Sequence, residues 1–387
     1  MNTDRGTKRY RQGTHRAADP EETFDRIKPH LGAASITRCA DVTGLDCLGI
    51  PVYCAIRPAG RTVQVTNGKG VRPIDARVSA LMEAIEVHYA EQQPAHVRRS
   101  SLKMLGDHDG PVPAEPAALP GFRHDRHFTP EFVTDWIPGR RLPGGDDVWL
   151  PASAVHLAWP ALFTFSTNGL ASGNTLAEAT LHGLYEVLER DAVSRLSVGG
   201  RLQIAERCQV IDLASVDDAV VGDLTHRVAR SGVDLVLLRV PSRIEVHTYW
   251  AVLVDRGPFA ASSTVNLGYG THRSPSVAAS RAITEAAQSR LTMIHGARED
   301  VDRRAYDSGR AQARMAGYFP ALPANTPWDE AEDHSCPTLN QDLAAIAAGL
   351  TAAGHHEILR AVLACEPFDV AVVKVLVPGL QFNDRLF

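Results

Sequence analysis

Three stretches of this chain are built alike, and a unit used three times constrains a fold more than any single motif does. "NGKGVRPIDARVSALMEAIE" holds Ser79, Glu83 and Glu86; "NGLASGNTLAEATLHGLYEVLER" holds His182, Glu186 and Glu189; "NLGYGTHRSPSVAASRAITEAAQSR" holds Arg281, Glu285 and Gln288. Each begins with an Asn near a Gly, passes through a turn-forming segment and continues as a helix. That helix carries a polar residue at i, Glu at i+4 and Glu or Gln at i+7. The reading is one strand–loop–helix unit, repeated with drift.

The rest of the chain keeps strands and helices interleaved. "GIPVYCAIRPAGRTVQVTNGKG" alternates in strand fashion around a turn at Ala59–Gly60, and further strands are expected at "VDLVLLRV", "HTYWAVLVD" and "DVAVVKVLVPG". Helices are predicted at about 76–92, 175–196 and 275–295, with another at "LNQDLAAIAAGLTAAG". The class is therefore α/β (α+β) rather than all-helical. Residues 1–33 form a polar N-terminal segment with a helix start at "DPEETFDRI", Asp19 as its cap and Pro20 at its first position. Residues 34–387 form the main domain. Within it, the Pro- and Gly-rich run from Lys103 to Gly145 reads as a long loop or peripheral insertion.

The acids of the repeats carry the chemical signal. Spacing of i, i+4, i+7 stacks Ser79, Glu83 and Glu86 on one helix face, while Leu81, Ala84 and Ile85 cover the other. A solvated amphipathic face explains one such segment. It explains the recurrence less well, because solvated faces mix signs. Here Glu178, Glu186 and Glu189 share one face, with His182 among them. Like charges at this spacing repel by a few tenths of a kcal/mol per pair, and a cation relieves them. Hard carboxylate oxygens suit Mg²⁺, which takes one or two protein carboxylates and completes its shell with water and phosphate. Four or more converging acids then imply more than one magnesium ion, bound with a polyphosphate. "TNGKG" offers backbone N–H groups and Lys69 just before a helix, a reasonable phosphate site, although it is not a P-loop and Asn-Gly is also an ordinary turn. "GYGTH" lacks the third glycine and the strand context of a dinucleotide fingerprint.

Composition excludes several classes. A formal charge of −5 argues against a broad basic surface for nucleic acid. The polar, basic opening "MNTDRGTKRYRQGTHR" has no apolar stretch after it, so it is no secretory signal, and no apolar run is long enough for a membrane span. The six cysteines form no CxxC pair, which disfavours structural zinc and a disulfide framework. The expected compartment is a reducing cytoplasm.

With these residues in place, the chain resembles the YcaO family, enzymes that use ATP to activate a peptide backbone amide. "SALMEAIE", "GNTLAEATLHGLYEVLERD" and "RAITEAAQSRLTMIHGARED" are similar to its three nucleotide-site motifs, in order, and the likeness runs from "GTHR" to "VPGLQ". It implies a YcaO-type fold of repeated units around a nucleotide cavity, with ATP and Mg²⁺ as cofactors. Ser79, Glu83 and Glu86 match the first element. Asn174, Glu178, Glu186, Glu189 and Arg190 match the second, whose acids hold magnesium ions bridging the phosphates. Glu285, Gln288 and Arg290 match the third. The implied metal ligands are Glu86, Glu178, Glu186 and Glu189. Arg290 lies about 140° from Glu285 on the helical wheel, so it either reaches a phosphate from the helix end or is structural. The family's Lys-x6-Ser near the N-terminus is replaced by Arg16-x6-Thr23. His182, on the acid stripe, is the candidate acid or base; a packed or phosphate-facing His is the plainer alternative.

The resemblance also implies a choice of outcomes. A side-chain nucleophile of the peptide gives an azoline, external sulfide a thioamide, and an amine an amidine. The chain ends "VPGLQFNDRLF", without the proline-rich tail common in azoline formers, and "GTHR…PEETFDRI", "ITRCADVTGLD…GIPVYCAIRP" and "VPGL" resemble members that make thioamides with a TfuA-type partner. The expected partners are a precursor peptide or protein, a TfuA-like or other partner protein and a sulfide source, with a homodimer allowed and neither nucleic acid nor membrane. A non-catalytic nucleotide- or peptide-binding subunit is the alternative of another class, and the intact acids count against it. An unrelated metal-dependent hydrolase would need an HExxH or similar set. If the three repeats line one cavity, ATP and Mg²⁺ together will slow hydrogen exchange in all three helices and raise Tm by linkage. Protection confined to one helix would reduce the triple pattern to a coincidence of amphipathic faces.

Overall fold

A computed structural model describes residues 6–107, 111–123, 128–158, 160–257, 265–301, 309–383 and 386. Its principal elements begin with helix α1 (Pro20–Ile27), strands β1 (Arg38–Asp41), β2 (Val52–Ile56) and β3 (Val65–Lys69), and helix α2 (Pro73–Ala90). Strands β4 (Arg98–Ser101), β5 (Val112–Pro113), β6 (Val133–Leu142), β7 (Asp147–Pro151) and β8 (Leu170–Gly173) lead to helix α3 (Leu176–Ser194). Next come β9 (Gln209–Val210), α4 (Ala219–Arg230), β10 (Val233–Val240), β11 (His247–Asp255), β12 (Val265–His272) and α5 (Pro275–His295). Helix α6 (Leu339–Ala352) and strands β13 (Ile358–Ala364) and β14 (Ala371–Leu376) complete the set.

The chain divides into two compact units. The first comprises Met1–Thr7, Ile85–Ser194 and Pro337–Phe387; the second comprises Lys8–Ala84 and Arg195–Cys336. The first holds a sheet in the order β5-β7-β6-β13-β14-β8, with β4 also paired to β6. The second holds an antiparallel β1-β2-β3 sheet and an antiparallel β9-β10-β11-β12 sheet.

In the second unit the core lies between the β9–β12 sheet and helices α4 and α5. Leu237, Tyr249, Ala251 and Leu253 of the sheet meet Val221, Leu224 and Val228 of α4 and the alanines 278, 279, 282, 286 and 287 of α5. Helix α4 starts at Asp218, whose side chain accepts from the Val220 and Val221 N–H groups. The alanine face of α5 lets its backbone approach β12 unusually closely. A Cβ on Gly270 would stand 2.1 Å from the Ala278 carbonyl oxygen, and one on Gly268 2.1 Å from the Ala286 nitrogen. The same contact recurs between β3 and α2, where a Cβ on Gly68 would lie 2.0 Å from the Ala80 nitrogen and 2.3 Å from the Ala76 oxygen. Gly68 and Gly270 each precede the first polar residue of their repeat, Ser79 and Arg281, by eleven positions. In the first unit, Gly173 of β8 meets the Ala179 nitrogen of α3 in like fashion, at 2.5 Å. The three repeats thus share a strand that runs back against its own helix at backbone contact.

The helices expected at 175–196 and 275–295 are α3 and α5, and that at 76–92 is α2, begun three residues earlier at Pro73. One expectation needs correction. The run from Lys103 to Gly145, read as loop or insertion, contains the ten-residue strand β6 in the interior of the first unit's sheet. Pro138 is tolerated there because its β4 neighbour ends opposite Trp136 and its β13 neighbour begins opposite Arg140. On that flank no ladder asks for the missing N–H. "GYGTH" lies within a strand, β12, in keeping with its failing the dinucleotide fingerprint, and its glycines serve packing. All six cysteines are free, and among the described residues no helix is long and apolar enough to cross a membrane.

Replacing Gly68 or Gly270 by Ala drives a methyl into helix backbone that cannot rotate away. Each is expected to cost about 3 kcal/mol, at the upper end of overpacking penalties, read as a lower denaturant midpoint. Gly222 of α4 has open space around it, so Gly222→Ala should stabilise by about 0.5–1 kcal/mol. Equal effects at the three positions would remove the strand–helix contact from the account.

Candidate nucleotide and metal site

The first unit carries the acids. Thr175 caps α3, its hydroxyl accepting from the Glu178 N–H at 3.1 Å, which sets Glu178 in the first turn where the helix dipole favours a carboxylate. The Asn174 amide donates to both Glu178 carboxylate oxygens, at 3.2 and 3.4 Å. From Glu178 the stripe continues through His182 and Glu186 to Glu189, about 16 Å along the axis. Glu178 and Glu189 are buried, while His182, Glu186 and Arg190 are half-buried. Ser172 of β8 ties in α2. Its hydroxyl donates to Glu86 Oε1 at 2.5 Å, and its carbonyl lies 3.5 Å from His182 Nδ1. Glu86, Glu178 and His182 are thereby organised around the β8–α3 junction.

Four residues in this unit escaped the sequence reading. Ser172 has no motif signal, because its role follows from sheet register. Asp191 and Ser194, on the last turn of α3, accept the Gln381 and Asn383 N–H groups at 2.9 Å each; Phe387 lies outside the described residues. Lys374 is buried in β14, where its ammonium donates to the Ser166 carbonyl. Burial pushes it down to about 8, against the attraction of Glu186. A lone Lys within "AVVKVLV" was the available signal.

The second unit carries most of the cations. Lys69 ion-pairs with Glu285, whose other oxygen accepts the Tyr269 N–H at 3.3 Å. The backbone of "TNGKG" is not the anion cradle expected. Asn67, Gly68 and Lys69 lie in β3, and the start of α2 is closed by Asp75, which accepts the Arg72 N–H at 3.0 Å, while Pro73 brings no N–H. Ser79 is half-buried, as is Glu83, which lies 3.9 Å from Arg298. The Gln288 carbonyl accepts the Thr292 hydroxyl at 2.8 Å. Arg290 is pinned: Nε donates to both oxygens of Asp46, at 2.9 and 3.1 Å, and Nη2 to Asp255 at 2.9 Å. Of the two roles left open for it, this geometry is the structural one.

Arg16 pairs through its backbone with Tyr10 at 3.0 Å, and the buried Thr23 hydroxyl donates to the Asp19 carbonyl at 3.1 Å. Beside Arg16, His15 meets His272 edge-on at 4.8 Å. Burial, then Lys8 and Arg11, lower His15 to about 3. Burial, then His15, Lys8, Arg281 and Arg16, hold His272 well below the ordinary value. Both imidazoles are therefore neutral; the charges that act on them are those of Lys8, Arg11, Arg16 and Arg281, opposed at His15 by Asp333. Arg281 joins the candidate site residues; its place in the third repeat, matching Ser79 and His182, was the signal. Burial raises the Cys54 thiol to about 11, and Cys54 donates to Asn67 Oδ1 at 2.9 Å, so it is a thiol, unsuited to a sulfur relay.

Within each unit by itself, the donor set suits one part of a magnesium nucleotide. Among the described residues no three His, Cys, Asp or Glu side chains converge to enclose an ion by themselves, which a metal completing its shell with water and phosphate does not require. Buried carboxylates on α3 suit the ion, and the cations near His272 suit phosphate.

A family model described as YcaO cyclodehydratase, ATP- and Mg²⁺-binding, matches residues 67–381. An uncharacterized protein in the tfuA 3' region of Rhizobium leguminosarum bv. trifolii is 36% identical over 386 residues, covering 95% of this chain and 89% of the relative. The structure of YcaO from Methanopyrus kandleri bound with AMPPCP and Mg²⁺ superposes with a TM-score of 0.77 at 24% identity, over 97% of this chain and 95% of that one. A heterocyclase in complex with substrate and cofactor gives a TM-score of 0.79 at 22% identity over 98% of this chain, which spans 54% of the heterocyclase's length. These two likenesses show the fold. With the family match over most of its length and a relative of this identity, the chain belongs to the YcaO family, whose cofactors are ATP and Mg²⁺.

Proposed function

We propose that this protein phosphorylates a backbone amide of a ribosomally made peptide or protein, with external sulfide as nucleophile, and so installs a thioamide. The observation that carries the ATP-dependent part is the acid stripe of α3, organised by Asn174, Thr175 and Ser172. The choice of sulfide is supported by the phrases shared with TfuA-associated members and by the relative in a tfuA 3' region. The reaction balances without a redox partner. Hydrosulfide adds to the amide carbon, and the carbonyl oxygen takes the γ-phosphoryl group, releasing ADP. The C–O bond then breaks to expel phosphate, which carries off the sulfur proton as C=S forms.

The chain's own groups have distinct tasks. Glu86, Glu178, Glu186 and Glu189 hold Mg²⁺, which when bound neutralises charge on the phosphates. Asn174 orients Glu178, and Ser172 orients Glu86. Arg16, Arg190 and Arg281 bind phosphate oxygens; Ser79, Glu83 and Gln288 complete the nucleotide contacts. Lys69 is held by Glu285 and turns to phosphate when the nucleotide binds. With Nδ1–H donated to the Ser172 carbonyl, His182 presents Nε2 as the base that takes the sulfur proton as C=S forms and passes it to the departing phosphate. A TfuA-like protein delivers sulfur or substrate. Azoline formation by the same chemistry is the second reading, favoured by the cyclodehydratase description of the family.

Glu186→Gln and Glu189→Gln are each expected to abolish ATP turnover while the apo protein stays folded, within about 1 kcal/mol of wild type. Wild-type turnover in either variant would end the metal assignment. Mass spectrometry of a precursor peptide incubated with enzyme, ATP, Mg²⁺ and sulfide should show a gain of about 16 Da, oxygen replaced by sulfur. A loss of about 18 Da would move the assignment to azoline formation.

A further inference from the structure

The first unit contains a small cavity, partly open to solvent, whose lining includes Lys374, Ser166, Asn168, Phe163, Val187 and Leu376. Lys374 is the charged member of that lining, only 4% exposed. Among the described residues its ammonium makes one hydrogen bond, to the Ser166 carbonyl, although it carries three donors. Asn168 Oδ1 in the same lining is buried without a hydrogen-bond partner. Glu186 attracts Lys374, yet most of the ammonium's donors stay unmatched in an apolar wall, which is costly, and a purely structural lysine would be better replaced by a hydrophobe. The wall therefore asks for a small ligand with three properties. It must carry negative charge for Lys374, offer a donor to Asn168 Oδ1, and be at ease against aromatic and aliphatic carbon.

We propose that this cavity seats the sulfur nucleophile, a hydrosulfide ion held between Lys374 Nζ and Asn168 Oδ1. Water supplies the donor but not the charge; a halide supplies the charge but not the donor. Hydrosulfide accepts from the ammonium through sulfur, donates S–H to Asn168, and its polarisable sulfur suits contact with Phe163. The site rests on the thioamide reading for its ligand, while its geometry belongs to Lys374 and Asn168 alone. Glu186 adds a charge that draws Lys374 toward the acid stripe, so the anion's seat is electrostatically linked to the helix that holds the metal.

Bromide and hydrosulfide are the probes. Crystals of the whole chain soaked in bromide should give an anomalous peak within hydrogen-bond distance of Lys374 Nζ, and sodium hydrosulfide should displace it. Lys374→Met, which fills the same volume without charge, should abolish the peak. Asn168→Leu should leave bromide in place and weaken hydrosulfide at least tenfold, because bromide has no proton to donate. Absence of the peak in wild type, its persistence in Lys374→Met, or equal hydrosulfide affinity in wild type and Asn168→Leu would overturn the proposal. In turnover, Lys374→Met should raise the half-saturating sulfide concentration at least tenfold with that for ATP unchanged. Thioamide formation at an unchanged sulfide requirement would sink the site and leave the thioamide reading standing. Anion binding at Lys374 with only dehydrated peptide as product would do the reverse.

Discussion

The contact between strand glycine and helix backbone is the constraint from which the rest follows. At Gly68 on α2 and Gly270 on α5 the main chains meet at distances that leave no room for a side chain. A helix pressed so closely on its strand cannot roll. Its buried face is fixed by the alanines at the contact, Ala76 and Ala80 in one case and Ala278 and Ala282 in the other. The direction in which Glu83 or Glu285 projects is then a property of backbone packing, with little left to side-chain adjustment. A repeat that conserves this geometry can change its polar residues and keep their placement, as Ser79, His182 and Arg281 illustrate.

Charge is distributed unevenly between the two units. The first places carboxylates along α3, and the second gathers Lys8, Arg11, Arg16 and Arg281 around the neutral pair His15–His272. Neither arrangement is favourable by itself, since like charges are brought together within partly desolvated surroundings. Side-chain hydrogen bonds from Asn174 and Ser172 temper the acids. Neutral imidazoles temper the cations by filling space without adding charge. Arg290, by contrast, has its carboxylates already supplied by Asp46 and Asp255, and belongs to the fold's own electrostatics.

What could be read from the chain followed periodicity. The 3.6-residue period marks α3 and α5 with little ambiguity, and the acid spacing survives because it is local to one helix. Strand β6 is hidden for the opposite reason. Pro138 and Gly139 carry a loop signature, and only the change of neighbour from β4 to β13 makes them acceptable in a sheet. Lys374, Ser172 and Asp191 depend on register between segments far apart in sequence, for which no local pattern exists. The glycines of "TNGKG" are conspicuous, but the meaning of Gly68 is steric where the motif suggested phosphate.

The segment from Gln381 to Asn383 has a mechanical meaning. Helix ends ordinarily fray, because their last carbonyls lack partners and open with little cost. Here Asp191 and Ser194 each hold an N–H of the returning chain at 2.9 Å, so the final turn of α3 is stitched down from outside. Glu189 stands just before that turn. The stripe carboxylate nearest the fraying end thus acquires a stiff footing from residues almost two hundred positions away in the chain. This segment becomes a rigidity element for the acid stripe, one through which a strain applied to Gln381–Asn383 could reach Glu189 without passing through the sheet.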